Sequence, residues 1–216
     1  MFQQYVNFDI LPDGWFTKKQ CENLFNICLQ SDSKPILEVG SWIGRSTSIL
    51  ALAQLSREDK GMRASDIETV DIGFSSEDEW KEFFGNSIHE KDNKERYLPH
   101  ITREGGSLAS LRENLSNLGL SKFVNIHKGI FPNVNLNFSE YEIIFLDVTH
   151  DVKEIKQNVP AALELLKYDG FLCCDDIYKT DQIKTLLEIT QHKNFFVSGG
   201  FYLSSNREIP CIRNEV

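Results

Sequence analysis

Short apolar runs alternate with helical repeats along most of the chain. The runs predict strands at residues 36–39, 67–71, 123–128, 141–147 and 171–177. The fourth run is apolar almost throughout, as expected of a strand that a parallel sheet buries on both faces. Apolar residues three and four positions apart predict helices between the strands, after residue 46 and over 106–118, 152–166 and 182–192.

This order of elements predicts an α/β fold with a doubly wound parallel sheet, in which ligands bind at the carboxyl ends of the strands. Two further strands, at 195–203 and 208–213, are expected to close the sheet as an antiparallel hairpin, which makes seven strands. A turn is expected at 167–170. With 216 residues, the chain is long enough for one domain (1–216) and too short for two comfortable ones.

Two segments do not fit the repeat. Residues 1–34 contain an irregular arm, over 1–16, followed by a helix that Thr17 is expected to cap. Residues 73–104 mix aromatic and charged side chains in a stretch too long for a plain loop of a compact domain. The stretch is interpreted either as a lid over a bound molecule or as a solvated amphipathic helix at the sheet edge.

Composition excludes several classes of protein. A net charge of −9 argues against a general nucleic-acid binder, because phosphate contacts need a basic face. The sequence has no signal-peptide pattern and no apolar span of membrane length, so no membrane partner and a cytoplasmic location are expected. The five cysteines are odd in number and form no C-x-x-C pair, which favours neither a disulfide framework nor a zinc site.

The first strand leads into a glycine-rich turn. Gly40 and Gly44 follow the apolar run, and Ser46 and Thr47 stand where a helix N-cap is expected. Glycine lets a ligand approach the backbone, and a helix N-terminus adds free N–H groups. The dinucleotide fingerprint G-x-G-x-x-G is not met, because position 42 is Trp.

Acidic residues stand at the ends of the second, fourth and fifth strands. Asp71 suits the hydroxyls of a ribose, although an exposed acid at a strand end is the plain alternative. Asp147, Asp175 and Asp176 fall at the ends of neighbouring strands and would repel one another unless a cation lies among them. Hard oxygen ligands suit Mg²⁺ or Ca²⁺. The alternative is that one of the paired acids caps the next helix and that Asp147 lines a pocket without a metal.

Taken in order, these features resemble the class I S-adenosylmethionine-dependent methyltransferases of the methyltransferase-24 type. That group is related to the catechol, caffeoyl-CoA and macrolide sugar O-methyltransferases. The resemblance covers roughly residues 35–178 and is carried by Glu38-x-Gly40-x-x-x-Gly44-Arg-Ser46, Asp71, Phe145-Leu-Asp147-x-x-His150 and Asp169-Gly170-Phe with Asp175-Asp176. It implies the Rossmann-like class I methyltransferase fold.

The resemblance also implies roles for individual residues. S-adenosylmethionine (SAM) is expected to contact the glycine turn and the ends of the second, third and fourth strands: Glu38, Gly40, Ser41, Trp42, Gly44, Ser46, Asp71, Ile72, Gly129, Ile130 and Asp147. Trp42 would either shield the methionine tail or pack the turn. Asp147, Asp175 and Asp176 would hold Mg²⁺ or another divalent cation. Asp147 and His150 would be catalytic, His150 as general base, unless it is a merely structural histidine.

The function that follows is cation-assisted O-methylation of a small molecule. A sugar hydroxyl, a catechol-like phenol and a natural-product intermediate all remain open as acceptor. The alternatives are metal-independent transfer with His150 as the base, or a domain that binds without catalysis. In such proteins an N-terminal segment like 1–34 either only covers the sheet, forms part of a lid, or contributes a homodimer contact.

Overall fold

A seven-stranded sheet runs through the molecule. The computed structural model describes residues 1–32, 34–85 and 91–209, with the backbone alone at 91–93. The strands are β1 (Ile36–Val39), β2 (Ile67–Asp71), β3 (Val124–Lys128), β4 (Tyr141–Leu146), β5 (Leu166–Ile177), β6 (Asn194–Ser198) and β7 (Gly200–Ser205). They lie in the order β3-β2-β1-β4-β5-β7-β6. The first five are parallel, and β7 pairs antiparallel with both β5 and β6.

Helices cover both faces of the sheet. They are α1 (Phe2–Tyr5), α2 (Lys18–Cys28), α3 (Arg45–Glu58), α4 (Glu77–Phe84), α5 (Lys91–Ile101), α6 (Gly106–Asn117), α7 (Val152–Leu165) and α8 (Thr180–Thr190). Successive strand residues enter opposite cores: Phe145 and Cys173 pack with α2, α3 and α6, while Leu146 and Cys174 pack with α7 and α8. This alternation follows from the two-residue period of a strand.

The chain reverses its direction of travel across the sheet between β1 and β4. From β1 it proceeds outward to β2 and β3, then returns to place β4 on the other side of β1. The two strands end together, since the Asp147 amide donates to the Val39 carbonyl at 2.8 Å. A crevice at such a switch point is where open α/β sheets bind ligands.

The segment before β1 is anchored to the sheet. Thr17 caps α2 as expected: its hydroxyl accepts from the Gln20 amide, and the Gln20 side chain accepts from the Thr17 amide at 2.8 Å. The arm contains α1 and a 3₁₀ turn at Phe8–Ile10, so it is less irregular than expected.

Several sequence-based boundaries are wrong. The closing hairpin exists, but its turn lies at Gly199, so both strands overlap the range 195–203 that was assigned to the first strand alone. Residues 206–209 form no strand, and 210–213 lie outside the described residues. The expected turn at 167–170 belongs to β5. Ser46 and Thr47 do not cap α3, whose N-cap is Gly44. None of the described helices is long and apolar enough to cross a membrane.

Candidate active site

A cavity of about 970 Å³ opens over the carboxyl ends of β1, β2, β4 and β5. Such a volume is at the upper end of what small-molecule sites enclose. The predicted site residues on its wall are Gly40, Ser41, Trp42, Ser46, Asp71, Ile72, Gly129, Ile130, Asp147, His150, Asp175 and Asp176. The structure therefore brings most of the predicted site together.

Gly40 lets two strand ends meet at the cavity floor. Its φ is +92°, and a Cβ built on it would lie 2.6 Å from the Asp147 carbonyl oxygen. Only glycine fits this backbone conformation and this approach. The next hydroxyl, Ser41 Oγ, lines the cavity, is buried and has no hydrogen-bond partner among the described residues. The turn therefore places a polar group without a partner beside the point where the ends of β1 and β4 meet.

Glu38 and Gly44 lie behind the cavity wall and do not line it. Glu38 is fully buried, and its Oε2 accepts from Thr47 Oγ1 at 2.6 Å and Thr69 Oγ1 at 2.7 Å. Gly44 has a φ of +101°, a backbone conformation that other residues rarely adopt, and a Cβ there would also displace the end of the Leu111 side chain of α6. Both residues therefore build the turn from behind the cavity wall, and their role as direct SAM contacts stays a prediction.

Asp71 at the end of β2 faces the cavity and braces the turn. Its Oδ2 accepts from the Trp42 amide and its Oδ1 from the Gly73 amide, each at 2.8 Å. Burial raises the pKa of this carboxyl, and the backbone hydrogen bonds oppose that rise. A carboxylate oxygen can accept more than one hydrogen bond, so Asp71 can still receive the hydroxyls of a ligand.

Asp147, His150 and Asp176 form a cluster at the other side of the cavity. Each offers one ligand atom, and these atoms lie within 4.8 Å of one another. His150 Nε2 lies 3.5 Å from Asp176 Oδ2, while its Nδ1 donates to Glu154 Oε2 at 2.8 Å. Two carboxylates and an imidazole at such spacing form a donor set that suits a divalent cation.

The cluster has unusual proton affinities. Hydrogen bonding to Glu154, opposed by burial and helped by the charges of Glu154, Asp147 and Asp176, raises the pKa of His150 to about 9. Burial and the neighbouring charges of Asp175 and Asp176 raise the pKa of Asp147 well above its ordinary value. The acids thus repel one another as the sequence predicted, and a proton on His150 relieves part of that repulsion.

Asp175, predicted as the third cation ligand, lines the same cavity but is not one of the three residues whose ligand atoms lie within 4.8 Å of one another. Its Oδ1 accepts from Gln20 Nε2 of α2 at 2.5 Å, on the face of the sheet opposite α7 and α8. Asp176 is directed to the cluster by a left-handed backbone with φ +61°, next to a break in the β5–β7 register between Cys174 and Ile177. Burial raises the pKa of Asp175 to about 7.

Aromatic side chains from 73–104 form the roof of the cavity. Trp42, which has a φ of +49°, contacts Trp80 and Tyr97 with ring centroids 5.4 and 5.5 Å apart. Phe83 and Phe84 line the cavity and keep 50% and 39% of their surface exposed. Trp42 therefore packs the turn against the insertion, one of the two roles expected for it.

The family of proteins described as a methyltransferase domain, of the methyltransferase-24 type, matches residues 37–177, well over half of the chain. The chain belongs to this family. The resemblance found in the sequence is thereby confirmed, and the protein is a class I SAM-dependent methyltransferase. No curated protein matches the methyltransferase in sequence.

Solved methyltransferase structures share its fold. The O-methyltransferase NovP is 13% identical, over 90% of this chain and 83% of its own, with a TM-score of 0.63. TomG from Streptomyces achromogenes, an O-methyltransferase involved in tomaymycin synthesis that was solved with SAM, is 16% identical over 94% and 85%, with a TM-score of 0.55. An O-methyltransferase from Bacillus cereus solved with S-adenosylhomocysteine (SAH) is 14% identical over 89% and 82%, with a TM-score of 0.51. At these identities the likeness concerns the fold alone.

Some site residues of the methyltransferase escaped the sequence reading. Glu154 orients His150, and only their four-residue spacing could have indicated it. Tyr178 lines the cavity with two thirds of its surface exposed, and Gln182 lies behind the two acidic loops. No motif in the sequence marks either residue.

Proposed function

We propose that this methyltransferase transfers the methyl group of SAM to a hydroxyl of a small molecule, assisted by a divalent cation held by Asp147, Asp176 and His150. The observation that carries the proposal is the position of this cluster in the same cavity as the Gly40 turn. One cavity thus offers a place for a donor beside a place for a cation. The aromatic roof and the two acids suit an uncharged acceptor with an apolar body, whether a sugar derivative, a catechol-like phenol or a natural-product intermediate.

The glycine turn and the end of β2 fit the donor. Gly40 lets the ends of β1 and β4 meet at the cavity floor, and the unpartnered Ser41 hydroxyl is available to a polar tail. Asp71 can accept from ribose hydroxyls, with Ile72, Gly129 and Ile130 as neighbouring apolar or backbone surface. When bound, SAM supplies an electrophilic methyl group on a positively charged sulfur.

The donor set of the cluster fits Mg²⁺ or Mn²⁺ better than a soft metal, because two of its three ligands are carboxylates. Such a cation would orient the acceptor oxygen and lower its pKa. The protein contributes the fixed positions of Asp147 and Asp176. It also contributes His150, whose proton is held mainly by the hydrogen bond to Glu154 and in smaller part by the charges of Asp147 and Asp176, and which must lose that proton to bind a cation.

His150 supports a second, metal-independent candidate mechanism. Glu154 accepts from Nδ1 and so leaves Nε2 directed to the cavity, an arrangement in which an imidazole can remove a proton from an alcohol. With its pKa at about 9, however, His150 holds a proton at neutral pH and would first have to lose it. A cation ligand must lose that proton as well, so the pKa of His150 does not separate the two mechanisms; the two carboxylates beside His150 favour the cation-assisted one.

We further propose that the described parts of the insertion, 73–85 and 91–104, form a lid over the cavity together with the arm. Arg96 of α5 donates to both carboxylate oxygens of Asp13, and its guanidinium lies 4.1 Å from the Trp15 ring centroid. Trp15 in turn lies 5.1 Å from Tyr97. These contacts join the arm to the insertion across the cavity mouth, where closure would exclude water.

The test is release of SAH from SAM with a panel of catechols and sugar hydroxyl compounds. Turnover by the wild type should fall to background in EDTA and return with Mg²⁺. Asp176→Asn should lower turnover about 100-fold or more at fixed Mg²⁺, because it removes a charged ligand, while the Kd for SAM stays within about twofold. Full turnover in excess EDTA would contradict the role of the cation and favour His150 as an independent base.

Asp151→Asn is the matched control. Asp151 lines the same cavity and caps α7 by accepting from the Glu154 amide at 2.8 Å. Asn is an equally good N-cap, so this variant removes one carboxylate charge from the wall and leaves both the helix and the cluster intact. It should keep turnover within about threefold of the wild type; a loss as large as that of Asp176→Asn would mean that only the overall charge matters.

A further inference from the structure

We infer that Gln182 is a positioning residue that holds together the two loops carrying the cation ligands. The inference rests on the proposed function, since it concerns the same cluster. Gln182 is the third residue of α8 and is 1% exposed. Its side chain lies between two loops: the one that follows β4, with His150, and the one formed by the irregular last residues of β5 and the residues after them, with Asp176.

The amide nitrogen of Gln182 joins the two loops. Nε2 donates to the carbonyls of Thr149 at 3.1 Å, His150 at 3.2 Å and Asp176 at 3.0 Å. Two N–H groups are thus shared among three acceptors, two on one loop and one on the other. The backbones at His150 and Asp176 are therefore tied to a single group, which fixes the separation of two of the three members of the cluster.

The amide oxygen has a different role. Oε1 accepts from the Tyr178 amide at 3.1 Å and the Lys179 amide at 2.9 Å. Lys179 is the N-cap of α8, and a side-chain oxygen at the third helical position commonly accepts from the N-cap amide. Glu serves there as well as Gln. A residue needed only as a cap would therefore tolerate Glu, whereas the link between the loops needs the N–H donors.

Asp176 needs such support because the sheet does not supply it. The pairing of β5 with β7 is interrupted between Cys174 and Ile177, and Asp176 has the left-handed φ of +61° that ordinary residues avoid. The Thr149 hydroxyl donates to the Asp175 carbonyl at 2.8 Å, which is a second tie between the loops but not one to Asp176. The bond from Gln182 to the Asp176 carbonyl holds this conformation.

Three variants distinguish the capping role of Gln182, its link between the loops, and the stability of α8. Gln182→Glu keeps the capping oxygens and loses the donors. Gln182→Met keeps the length of the side chain and loses both. Leu186→Ala, on the same helix and fully buried, removes apolar packing but none of the hydrogen bonds between the loops, and so serves as the stability-matched control.

The measurements are Mn²⁺ affinity by electron paramagnetic resonance, SAM affinity by calorimetry, and hydrogen exchange in peptides spanning 148–151 and 176–179. Both Gln182 variants should bind Mn²⁺ at least 10-fold more weakly and exchange faster in both loops, with the SAM Kd within about twofold. For Gln182→Glu this loss is opposite in sign to the effect of an added negative charge, which by itself attracts cations. Leu186→Ala should lower the unfolding midpoint yet keep the Mn²⁺ affinity.

Mn²⁺ affinity and loop exchange unchanged in both Gln182 variants would overturn the inference and leave Gln182 as a helix cap. Wild-type protein that does not bind Mn²⁺ would instead overturn the cation in the proposed function. In that case hydrogen exchange in the two loops of the Gln182 variants decides whether Gln182 links them, because the hydrogen bonds that this measurement reports form without a metal.

Discussion

At the scale of single residues, the site depends on buried polar groups whose partners are supplied by neighbouring strands. Glu38 illustrates this: it is conspicuous in the sequence as part of a motif, yet it acts behind the cavity by accepting from Thr47 and Thr69. Burial, opposed by the hydrogen bonds from Ser46, Thr47 and Thr69, raises its pKa from 4.5 to about 7. The carboxyl therefore takes up a proton more readily in the folded protein than in the unfolded one.

This shift predicts a pH dependence of stability. Between pH 4.5 and 7 the folded state holds a proton that the unfolded state has lost, so the contribution of Glu38 to stability falls as the pH rises through this window. Glu38→Gln should abolish that part of the dependence, since hydroxyls can accept from an amide as well as donate. Between pH 5 and 8 the unfolding free energy, measured in urea, should fall less for Glu38→Gln than for the wild type. The difference between the two decreases should be up to about 3 kcal/mol.

Glu188→Gln, which removes an exposed carboxylate from α8, is the control and should follow the wild type. If Glu38→Gln and the wild type lose stability in parallel from pH 5 to 8, then Glu38 is ionised in the folded protein at both pH values and the account of its environment fails.

At the scale of elements, the strands and most helices were predictable because apolar spacing reports burial directly. β1, β2 and β4 and the cap of α2 follow from local residues alone. The predicted hairpin was misplaced because the apolar run of 195–203 contains a turn at Gly199-Gly200. The observed β5 begins at Leu166, five residues before its predicted start, because Asp169-Gly170 resembles a turn in the sequence. In both places pairing with neighbouring strands outweighs the local signal.

The sequence predicted which acidic residues lie near the site, but not the face of the sheet to which each side chain points. Asp175 and Asp176 are adjacent in sequence and differ in role because a strand sends alternate side chains to opposite faces, and because Asp176 adopts a left-handed backbone. The contribution of Gln182 depends on contacts more than thirty residues away in the chain, with Thr149 and His150. No local pattern carries such information.

The arm and α5 give a prediction at this scale. Arg96→Ala removes both the pair with Asp13 and the stacking on Trp15, so hydrogen exchange in the peptide 8–16 should accelerate several-fold. The loss of global stability should stay near 1 kcal/mol, because the pair is partly exposed. Mass spectrometry of the exchanged peptides measures the arm and α5 in the same experiment.

Arg103→Ala provides the comparison, since Arg103 pairs with Glu113 at 2.7 Å and does not reach the arm. Exchange in 8–16 should be unchanged in this variant. If the two variants accelerate the arm equally, or neither does, then Arg96 does not link the arm to the insertion.

At the scale of the whole molecule, the fold places two kinds of chemistry at one crevice. The switch between β1 and β4 sets the Gly40 turn beside Asp147, which directly follows β4, and β5 brings Asp176 alongside. Family membership establishes a SAM-dependent methyltransferase. The cation cluster adds the proposal that the acceptor hydroxyl is activated next to the donor.

The most direct measurement of this claim is a crystal structure of the protein with SAH and Mn²⁺, with anomalous diffraction data collected at the manganese edge. We expect SAH over Gly40 and Asp71 and an anomalous peak bonded to Asp147 and Asp176, close to His150. SAH in the cavity with no peak among these three side chains, at millimolar Mn²⁺, would contradict the cation-assisted mechanism.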